Sequence, residues 1–261
     1  MRKWQTLALA LLLGTGSLSC ASPAAALGAP KGRDYYEPRG EIVWEVATDD
    51  KVVALTFDDG PDPTQTPAIL HLLDQYQAKA TFFVIGNRVS RFPELVKTAS
   101  AKGHEIGNHT YNHTYFSAGN TARLFDKEVT LTEESIYNAI GKHSSLFRPP
   151  GGYYNSIIVN SSHAKGMQVI LWSWHQDTKD WSRPGVNRII NKVLNNLHSG
   201  DIILMHDHVE GSTQTVAALK AILPEIQKRG YRCVTVSELM KHQKQAQPVK
   251  DSHDESKRSG L

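Results

Sequence analysis

The chain has 261 residues, of which 40% are hydrophobic and 21% are charged. This composition is typical of a globular protein, and the length suffices for one large α/β domain with a substantial core. The formal net charge of +3 at pH 7 is too small to indicate a nucleic-acid-binding protein.

Residues 1–26 have the pattern of a signal peptide. Two basic residues precede an apolar run that is too short to span a membrane, and an Ala-x-Ala sequence ending at Ala26 suits signal-peptidase cleavage. We therefore expect an exported protein, either secreted or associated with the cell envelope. A loose lipoprotein-like signal makes lipid anchoring at Cys20 the less favoured alternative. Cleavage after Ala26 leaves one thiol, Cys233, and therefore no internal disulfide.

The next segment, residues 27–41, is rich in Gly, Pro and charge and is predicted to be a linker. Residues 42–240 then alternate between strand-like and helix-like patterns, and the polar residues 241–261 are predicted to be a disordered tail. The predicted strands are an edge strand within 41–46 and runs at 52–57, 80–85, 104–106, 146–148, 168–174, 201–205 and 231–236. The predicted helices are 67–75, 93–102, 122–140, 155–165, 186–198 and 215–229.

This alternation predicts an α/β fold with a parallel sheet, and about seven strands favour a distorted (β/α) barrel. In such barrels the active site lies at the carboxyl ends of the strands. Polar clusters occur just past five predicted strand ends, so we expect them to meet at one mouth. They are Asp58-Asp59, the pair His109 and His113, "RPPGG", "DTKDW" and His206.

Two adjacent carboxylates, Asp58 and Asp59, end the first buried run in "KVVALTFDDGP". Neighbouring side chains on a strand point to opposite faces, so the two acids need not share a role. Like charges repel unless a positive group separates them. A divalent cation on one carboxylate and an arginine on the other would do so, and Arg148 is the candidate arginine. The alternative is a turn with two solvated acids.

His109 and His113 in "NHTYNH" have a metal-ligand spacing, because residues i and i+4 lie on one face if the stretch is helical. Two histidines and one aspartate leave an open coordination position, as in catalytic zinc sites. The alternative is two surface histidines. His206, at the end of an apolar run, is a candidate general acid, because the ordinary pKa of histidine lies near neutrality. Its alternative is a buried structural histidine.

The motifs "TFDDG", "HTYNH", "RPPGG", "DTKDW" and "LMH" follow one another in this order. Together they resemble the five motifs of the polysaccharide deacetylases of the NodB-homology type, carbohydrate esterase family four, across residues 42–240. The resemblance implies a distorted (β/α) barrel that hydrolyses acetyl groups from a sugar polymer. It also implies a divalent metal, zinc first and cobalt as the alternative. Asp59, His109 and His113 are its implied ligands, Asp58 is the implied general base, and Arg148 is the implied partner of that base.

The same resemblance implies that His206 is the general acid and that an aspartate of "DTKDW", for which we favour Asp177, positions it. The backbone N–H of Gly151 is implied to bind the oxyanion, and Trp181 and Leu204 to form the walls around the acetyl methyl group. Family members often have Tyr where this chain has Gly151. We expect the missing ring to widen the groove or to change the substrate.

Several functions fit these residues. An N-deacetylase of peptidoglycan ranks first, followed by one acting on chitin oligomers or another exopolysaccharide. The alternatives are an O-deacetylase of xylan, a non-catalytic protein that binds wall polysaccharide, and a zinc amidase of peptide stems, for which no separate support exists. The expected partner is the polysaccharide itself, with neither nucleic acid nor a protein partner implied.

Overall fold

Parallel β-strands form the centre of the fold in the computed structural model, which describes residues 31–116 and 121–244. The strands are β1 (Ile42–Val43), β2 (Val52–Asp58), β3 (Ala80–Val84), β4 (Glu105–Asn108), β5 (Leu146–Phe147), β6 (Gln168–Ile170), β7 (Ile202–His206) and β8 (Arg232–Cys233). The helices are α1 (Arg33–Tyr36), α2 (Gln65–Gln75), α3 (Gly86–Arg91), α4 (Pro93–Ala101), α5 (Thr121–Ile140), α6 (Ser156–Ala164), α7 (Val186–Leu194), α8 (Gln214–Lys228) and α9 (Val236–Lys241). Short 3-10 turns lie at Pro150–Gly152, Trp174–Gln176 and Asp180–Ser182.

The sheet has the strand order β1-β6-β5-β4-β3-β2-β7, and β8 pairs with the start of β2. Its two edges meet where Glu45 forms an antiparallel bridge with Asp201 and the Val46 N–H donates to the Gly200 carbonyl at 3.0 Å. We call this contact, residues 45–46 with 200–201, the seam. The curled parallel sheet with outer helices confirms the predicted distorted (β/α) barrel.

Alternation along β2 decides which side chains face the barrel interior. Val53, Leu55 and Phe57 belong to a buried cluster that includes side chains of α2 and α8, so they face the helices. Val52 and Ala54 belong to a different cluster, which includes residues of β7 and α9. With a side-chain period of two, the remaining even-numbered residues of the strand, Thr56 and Asp58, share the inner face. The fold thereby brings the last residue of β2 to the interior at the mouth of the barrel.

Each predicted strand and helix has a counterpart, with shifted ends. The largest shifts are in β6 and α7. Strand β6 ends at Ile170 because Trp174–Gln176 forms a 3-10 turn instead of continuing the strand, and α7 ends at Leu194 instead of at residue 198. The linker predicted for residues 27–41 is wrong for its second half. Residues Arg33–Tyr36 form α1, and Tyr36 is buried against the ring of Tyr154, with ring centroids 5.6 Å apart.

The predicted signal peptide with Cys20, and the tail from residue 245 onward, lie outside the described residues. At the start of the predicted tail, residues 241–244 are described, and the Lys244 N–H donates to the Ala47 carbonyl at 2.9 Å. Within residues 31–116 and 121–244, the helices are all too short or too polar to cross a membrane.

Candidate active site

A cavity of about 310 Å³ lies at the carboxyl ends of the strands. Every residue that the sequence predicted for the site lines it except Arg148, which lies behind Asp58. Two further aromatic residues, Tyr115 and Trp172, also line it. The predicted residues in the lining are Asp58, Asp59, His109, His113, Gly151, Asp177, Trp181, Leu204 and His206.

Arg148 is completely buried and holds Asp58 in place. Its Nη1 donates to Asp58 Oδ1 at 2.7 Å and to Thr56 Oγ1 at 2.8 Å. Its Nε and Nη2 donate to the carbonyls of Ile170 and Leu171 at 3.2 and 2.8 Å. Burial lowers the pKa of the Arg148 guanidinium, and the adjacent carboxylate opposes that effect. The predicted pairing of the two residues is thus present, and it leaves Asp58 Oδ2 available at the cavity.

Asp59 turns toward the same cavity because its backbone leaves the strand conformation. Its φ is +76°, in the left-handed region, which Asp tolerates better than most residues. A continued strand would have sent this side chain to the opposite face from Asp58. Instead, Oδ1 of Asp59 lies 3.5 Å from His109 Nε2 and 3.3 Å from His113 Nε2. The two carboxylates therefore have different neighbours, as the sequence predicted, but by a different geometry.

His109 and His113 also meet without the helix on which their spacing was interpreted. The stretch is irregular, with positive φ at Thr110 and His113, and the two ring centroids lie 5.2 Å apart. Nδ1 of His109 donates to the Arg148 carbonyl at 2.7 Å, which leaves the lone pair of Nε2 facing Asp59. Burial lowers the pKa of His109, while the charges of Asp58 and Asp59 oppose it, and the lowered pKa favours the neutral imidazole that binds metal.

These three residues fit a divalent cation. Oδ1 of Asp59 is buried and has no hydrogen-bond partner within the described chain, and the two imidazole Nε2 atoms adjoin it. One carboxylate oxygen and two imidazole nitrogens are a common ligand set for zinc with an open position. The described residues thus support a metal centre formed by Asp59, His109 and His113.

His206 is held by Asp180, and the prediction that Asp177 positions it is wrong. Nδ1 of His206 donates to Asp180 Oδ1 at 2.7 Å, and its backbone N–H donates to Asp180 Oδ2 at 2.8 Å. Asp177 lines the cavity, but its Oδ1 accepts the Lys179 N–H at 3.0 Å within its own loop. The 3-10 turn that begins at Asp180 directs this later aspartate of "DTKDW" into the interior, where it is fully buried.

The surroundings of His206 and Asp180 favour the ionised form of both groups. Burial lowers the pKa of His206, but the hydrogen bond and charge of Asp180, with the charges of Asp59 and Asp58, raise it to about 9. Burial raises the pKa of Asp180, whereas the bonds from His206 and Thr215 outweigh burial and hold it below its ordinary value. His206 also pairs in register with Asp58 across β2 and β7, so the two side chains share the inner face.

Gly151 lies where the resemblance predicted a missing aromatic ring. It has φ +63°, and a Cβ at this position would lie 2.7 Å from Tyr115 Cε1 and 3.1 Å from Tyr153 Cδ2. Two tyrosines from other positions therefore border the space next to Gly151. Their exposed rings contact each other edge to face, with centroids 5.9 Å apart, and Tyr115 also contacts His113. The sequence did not single out Tyr115, although it follows the His-x3-His motif closely.

The sequence analysis also did not identify the close contact between Gly60 and the buried side chain of Asp207. Asp207 is buried next to the metal-site loop, and its Oδ2 accepts a hydrogen bond from Thr66 Oγ1 at 2.6 Å. Burial raises the pKa of Asp207 to about 7, against the bond from Thr66. A Cβ on Gly60 would lie 2.1 Å from Asp207 Oδ2. Glycine in "FDDGP" is therefore needed for this close approach.

Comparison with known proteins agrees with this fold and site. The profile of the polysaccharide deacetylase family matches residues 45–170. A peptidoglycan-N-acetylglucosamine deacetylase of Bacillus cereus is 51% identical over 210 residues, which are 80% of this chain and 98% of that protein. A chitooligosaccharide deacetylase of a Bradyrhizobium species is 37% identical over 193 residues, covering 69% of this chain and 86% of the relative.

Two solved structures show the same fold. A peptidoglycan N-acetylglucosamine deacetylase in complex with an N-oxidanyl-benzamide has a TM-score of 0.73 at 32% identity, covering 80% of this chain and 98% of that one. A family 4 acetyl xylan esterase from Clostridium thermocellum, in complex with cobalt, has a TM-score of 0.68 at 32% identity. The match covers 73% of this chain and 91% of the esterase chain. The chain therefore belongs to the polysaccharide deacetylase family, and it is a deacetylase enzyme of that family.

Proposed function

We propose that this protein is an exported zinc enzyme that removes the acetyl group from N-acetylglucosamine residues of peptidoglycan. The observation that carries the proposal is the arrangement of two supported side chains around one metal centre. Asp58 is held by Arg148, His206 is held by Asp180, and both line the cavity that contains Asp59, His109 and His113. The cavity thus contains a candidate proton acceptor, a candidate proton donor and a candidate cation site, each formed by different residues.

The residues supply the steps of amide hydrolysis. Zinc bound to Asp59, His109 and His113 would polarise the acetyl carbonyl and lower the pKa of water. Oδ2 of Asp58 accepts a proton from the attacking water, and the C–O bond forms at the carbonyl carbon. The backbone N–H of Gly151 then stabilises the oxyanion.

His206, which lines the same cavity, completes the reaction. Despite burial, the hydrogen bond and the charge of Asp180 raise the pKa of His206, which favours the protonated imidazole at neutral pH. The imidazole gives its proton to the amide nitrogen, the C–N bond breaks, and acetate and a free amine leave. Leu204 lies on the same inner face two residues earlier, and Trp181 lines the same cavity. Their positions support a role for both as walls around the acetyl methyl group.

The choice of polymer follows the relatives and the mouth of the cavity. The 51% identical relative is named for peptidoglycan N-acetylglucosamine, which favours this substrate over chitin oligomers. Exposed aromatic rings of Tyr115, Tyr153 and Trp181 border the site, and they offer flat apolar faces to a sugar chain. The structural likeness to an acetyl xylan esterase makes O-deacetylation of xylan the second candidate. Because the base, acid and metal ligands are all present, a non-catalytic wall-binding role is disfavoured.

Acetate release from peptidoglycan, chitin oligomers and acetylxylan, measured side by side with the zinc-loaded protein, tests the function. We expect the highest kcat/KM on peptidoglycan. A preference for acetylxylan contradicts the N-deacetylase, and absence of release from all three contradicts catalysis.

The proposal includes export by the signal peptide at residues 1–26. Sequencing the mature N-terminus from the culture medium should give Leu27. Recovery in the membrane fraction, abolished by Cys20→Ala, would instead support the lipid anchor.

A further inference from the structure

Two histidines and one aspartate meet beside the seam, at the opposite end of β7 from the active site. His175, His198 and Asp201 line a separate cavity of about 550 Å³. Asp201 directly precedes β7, whereas His206 ends that strand. Five residues of strand separate the two positions by about 16 Å. The cluster is therefore distinct from the centre formed by Asp59, His109 and His113.

The atoms of the cluster have the spacing of a coordination shell. Nε2 of His175 lies 2.9 Å from Asp201 Oδ1, and Nδ1 of His198 lies 3.3 Å from the same Nε2. The ligand atoms of all three residues lie within 4.8 Å of one another. Ligands bound at about 2.1 Å to one tetrahedral zinc ion are separated by roughly 3.4 Å. The side chains thus need only small movements to bind one cation.

Protons alone satisfy these contacts incompletely. If Nε2 of His175 carries a proton, Asp201 Oδ1 and the lone pair of His198 Nδ1 must share that single proton, which weakens both hydrogen bonds. If His198 Nδ1 donates to that Nε2 instead, the Nε2 lone pair adjoins the Asp201 carboxylate without a proton between them. A cation among the three atoms accepts electron pairs from all of them at once.

The second oxygen of Asp201 is already occupied, which orients the first toward the histidines. Oδ2 accepts the His198 backbone N–H at 2.8 Å and Gln176 Nε2 at 2.9 Å. Such bonds to the outer oxygen are typical around metal-binding carboxylates. Asp201 is 2% exposed, so its negative charge is costly without a positive neighbour.

Positive side chains in the same cavity are paired with acids of their own. Arg33 donates to Glu37 at 2.6 Å and to Glu45 at 2.8 Å. Lys244 lies 2.7 Å from Asp49. These pairs reduce the repulsion that a bound cation would otherwise meet. The open cavity also admits water as a further ligand.

We propose that His175 Nε2, His198 Nδ1 and Asp201 Oδ1 bind a second divalent cation, with two imidazoles and a carboxylate favouring zinc. Bound there, the ion joins the Trp174–Gln176 turn to the start of β7, next to the seam. The turn leads into the loop that ends at Asp180. The second ion is thus structural and takes no part in the hydrolytic step.

Zinc binding in a background without the first site tests the proposal directly. The His109→Ala/His113→Ala variant of the mature chain is stripped of metal and dialysed against zinc, and bound zinc is measured by mass spectrometry. We expect about one zinc ion per chain to remain. Adding His198→Ala, whose side chain is exposed, should abolish this binding, and adding His175→Gln should do the same. Adding His71→Ala, an exposed histidine of α2, is the matched control and should leave it unchanged.

Two further measurements distinguish loss of the second zinc site from misfolding and from failure of the proposed deacetylase function. Zinc should raise the Tm of the His109→Ala/His113→Ala background but not that of the variant that also carries His198→Ala, while far-UV circular dichroism stays the same. His198→Ala alone should retain one zinc ion and deacetylase activity. A background that binds no zinc, or that binds it equally with and without His198, overturns the second site.

Discussion

His206 and Asp180 form a hydrogen-bonded ion pair in which the carboxylate contacts the histidine twice. Asp180 Oδ1 accepts from Nδ1 at 2.7 Å, and Oδ2 accepts from the His206 backbone N–H at 2.8 Å. Thr215 Oγ1 also donates to Oδ2 at 2.6 Å. With Nδ1 engaged by the carboxylate, Nε2 is the ring atom that is available for the substrate. We therefore propose that Asp180 positions His206 for its role as the general acid.

Replacing Asp180 should impair catalysis far more than replacing the other aspartate of the same motif. Asp180→Asn removes the negative charge that orients His206 and stabilises its protonated form. The value of kcat should therefore fall by about a hundredfold or more. Asp177→Asn is the matched control, because its side chain bonds within its own loop. Acetate-release kinetics and zinc content are measured for both. Equal losses in the two variants, or a larger loss in Asp177→Asn, contradict the assignment.

The pH dependence of the deacetylation rate should reflect the pKa of His206 in its pair with Asp180. The acid must be protonated, so the rate falls as pH rises through the pKa of His206, which is raised to about 9. A bound divalent cation acts in the opposite direction, which places the alkaline limb at or below that value. In Asp180→Asn the support for the imidazolium is lost, and the limb should move to lower pH. A limb that stays in place in this variant argues against His206 as the acid.

Arg148 should be needed for stability as well as for orienting the base. Arg148→Lys loses the planar fork that bonds Asp58, Thr56 and two carbonyls, and it leaves buried groups unpaired. Each buried hydrogen-bonding group left without a partner costs about 1–3 kcal/mol. Urea unfolding of Arg148→Lys beside Arg123→Lys, which changes an exposed residue, measures the difference. A free energy of unfolding equal to that of the control contradicts this role.

Gly60 should tolerate no side chain. The Cβ of Gly60→Ala would lie 2.1 to 2.4 Å from the Asp207 carboxyl group, which is buried and bonded to Thr66. Overpacking of this kind costs about 1–3 kcal/mol. Denaturant unfolding is compared with Gly32→Ala, at a position where a Cβ has nothing within 4 Å. Equal stability of the two variants shows that the loop absorbs the methyl group.

The barrel was predictable because its strands repeat one pattern. Apolar runs such as that of β2 are buried on both faces, and the polar residues that follow them necessarily collect at one mouth. The sequence also predicted that Asp58 and Asp59 would have different neighbours, which the structure confirms. The linker prediction failed because Tyr36 packs against Tyr154, a contact distant in sequence.

Details set by irregular backbone were not predictable. The left-handed conformations of Asp59 and His113 bring the metal ligands together without a helix. The turn at Asp180–Ser182 decides which aspartate of "DTKDW" reaches His206. Sequence spacing alone carries no signal for either choice. The seam cluster escaped notice because His175, His198 and Asp201 belong to no shared motif.

The central claim is that Asp58 moves the proton while Asp59 holds the metal, and one paired measurement tests it most directly. Zinc content and acetate-release rate are determined for Asp58→Asn and Asp59→Asn in the His198→Ala background, which excludes zinc at the seam. Asp58→Asn should keep about one zinc ion and lose roughly a hundredfold to ten-thousandfold in kcat. Asp59→Asn should lose zinc and activity together, because an amide oxygen is a weaker ligand than a carboxylate. An Asp58→Asn protein without zinc beside an Asp59→Asn protein that retains it, or near-normal rates in both, contradicts the account.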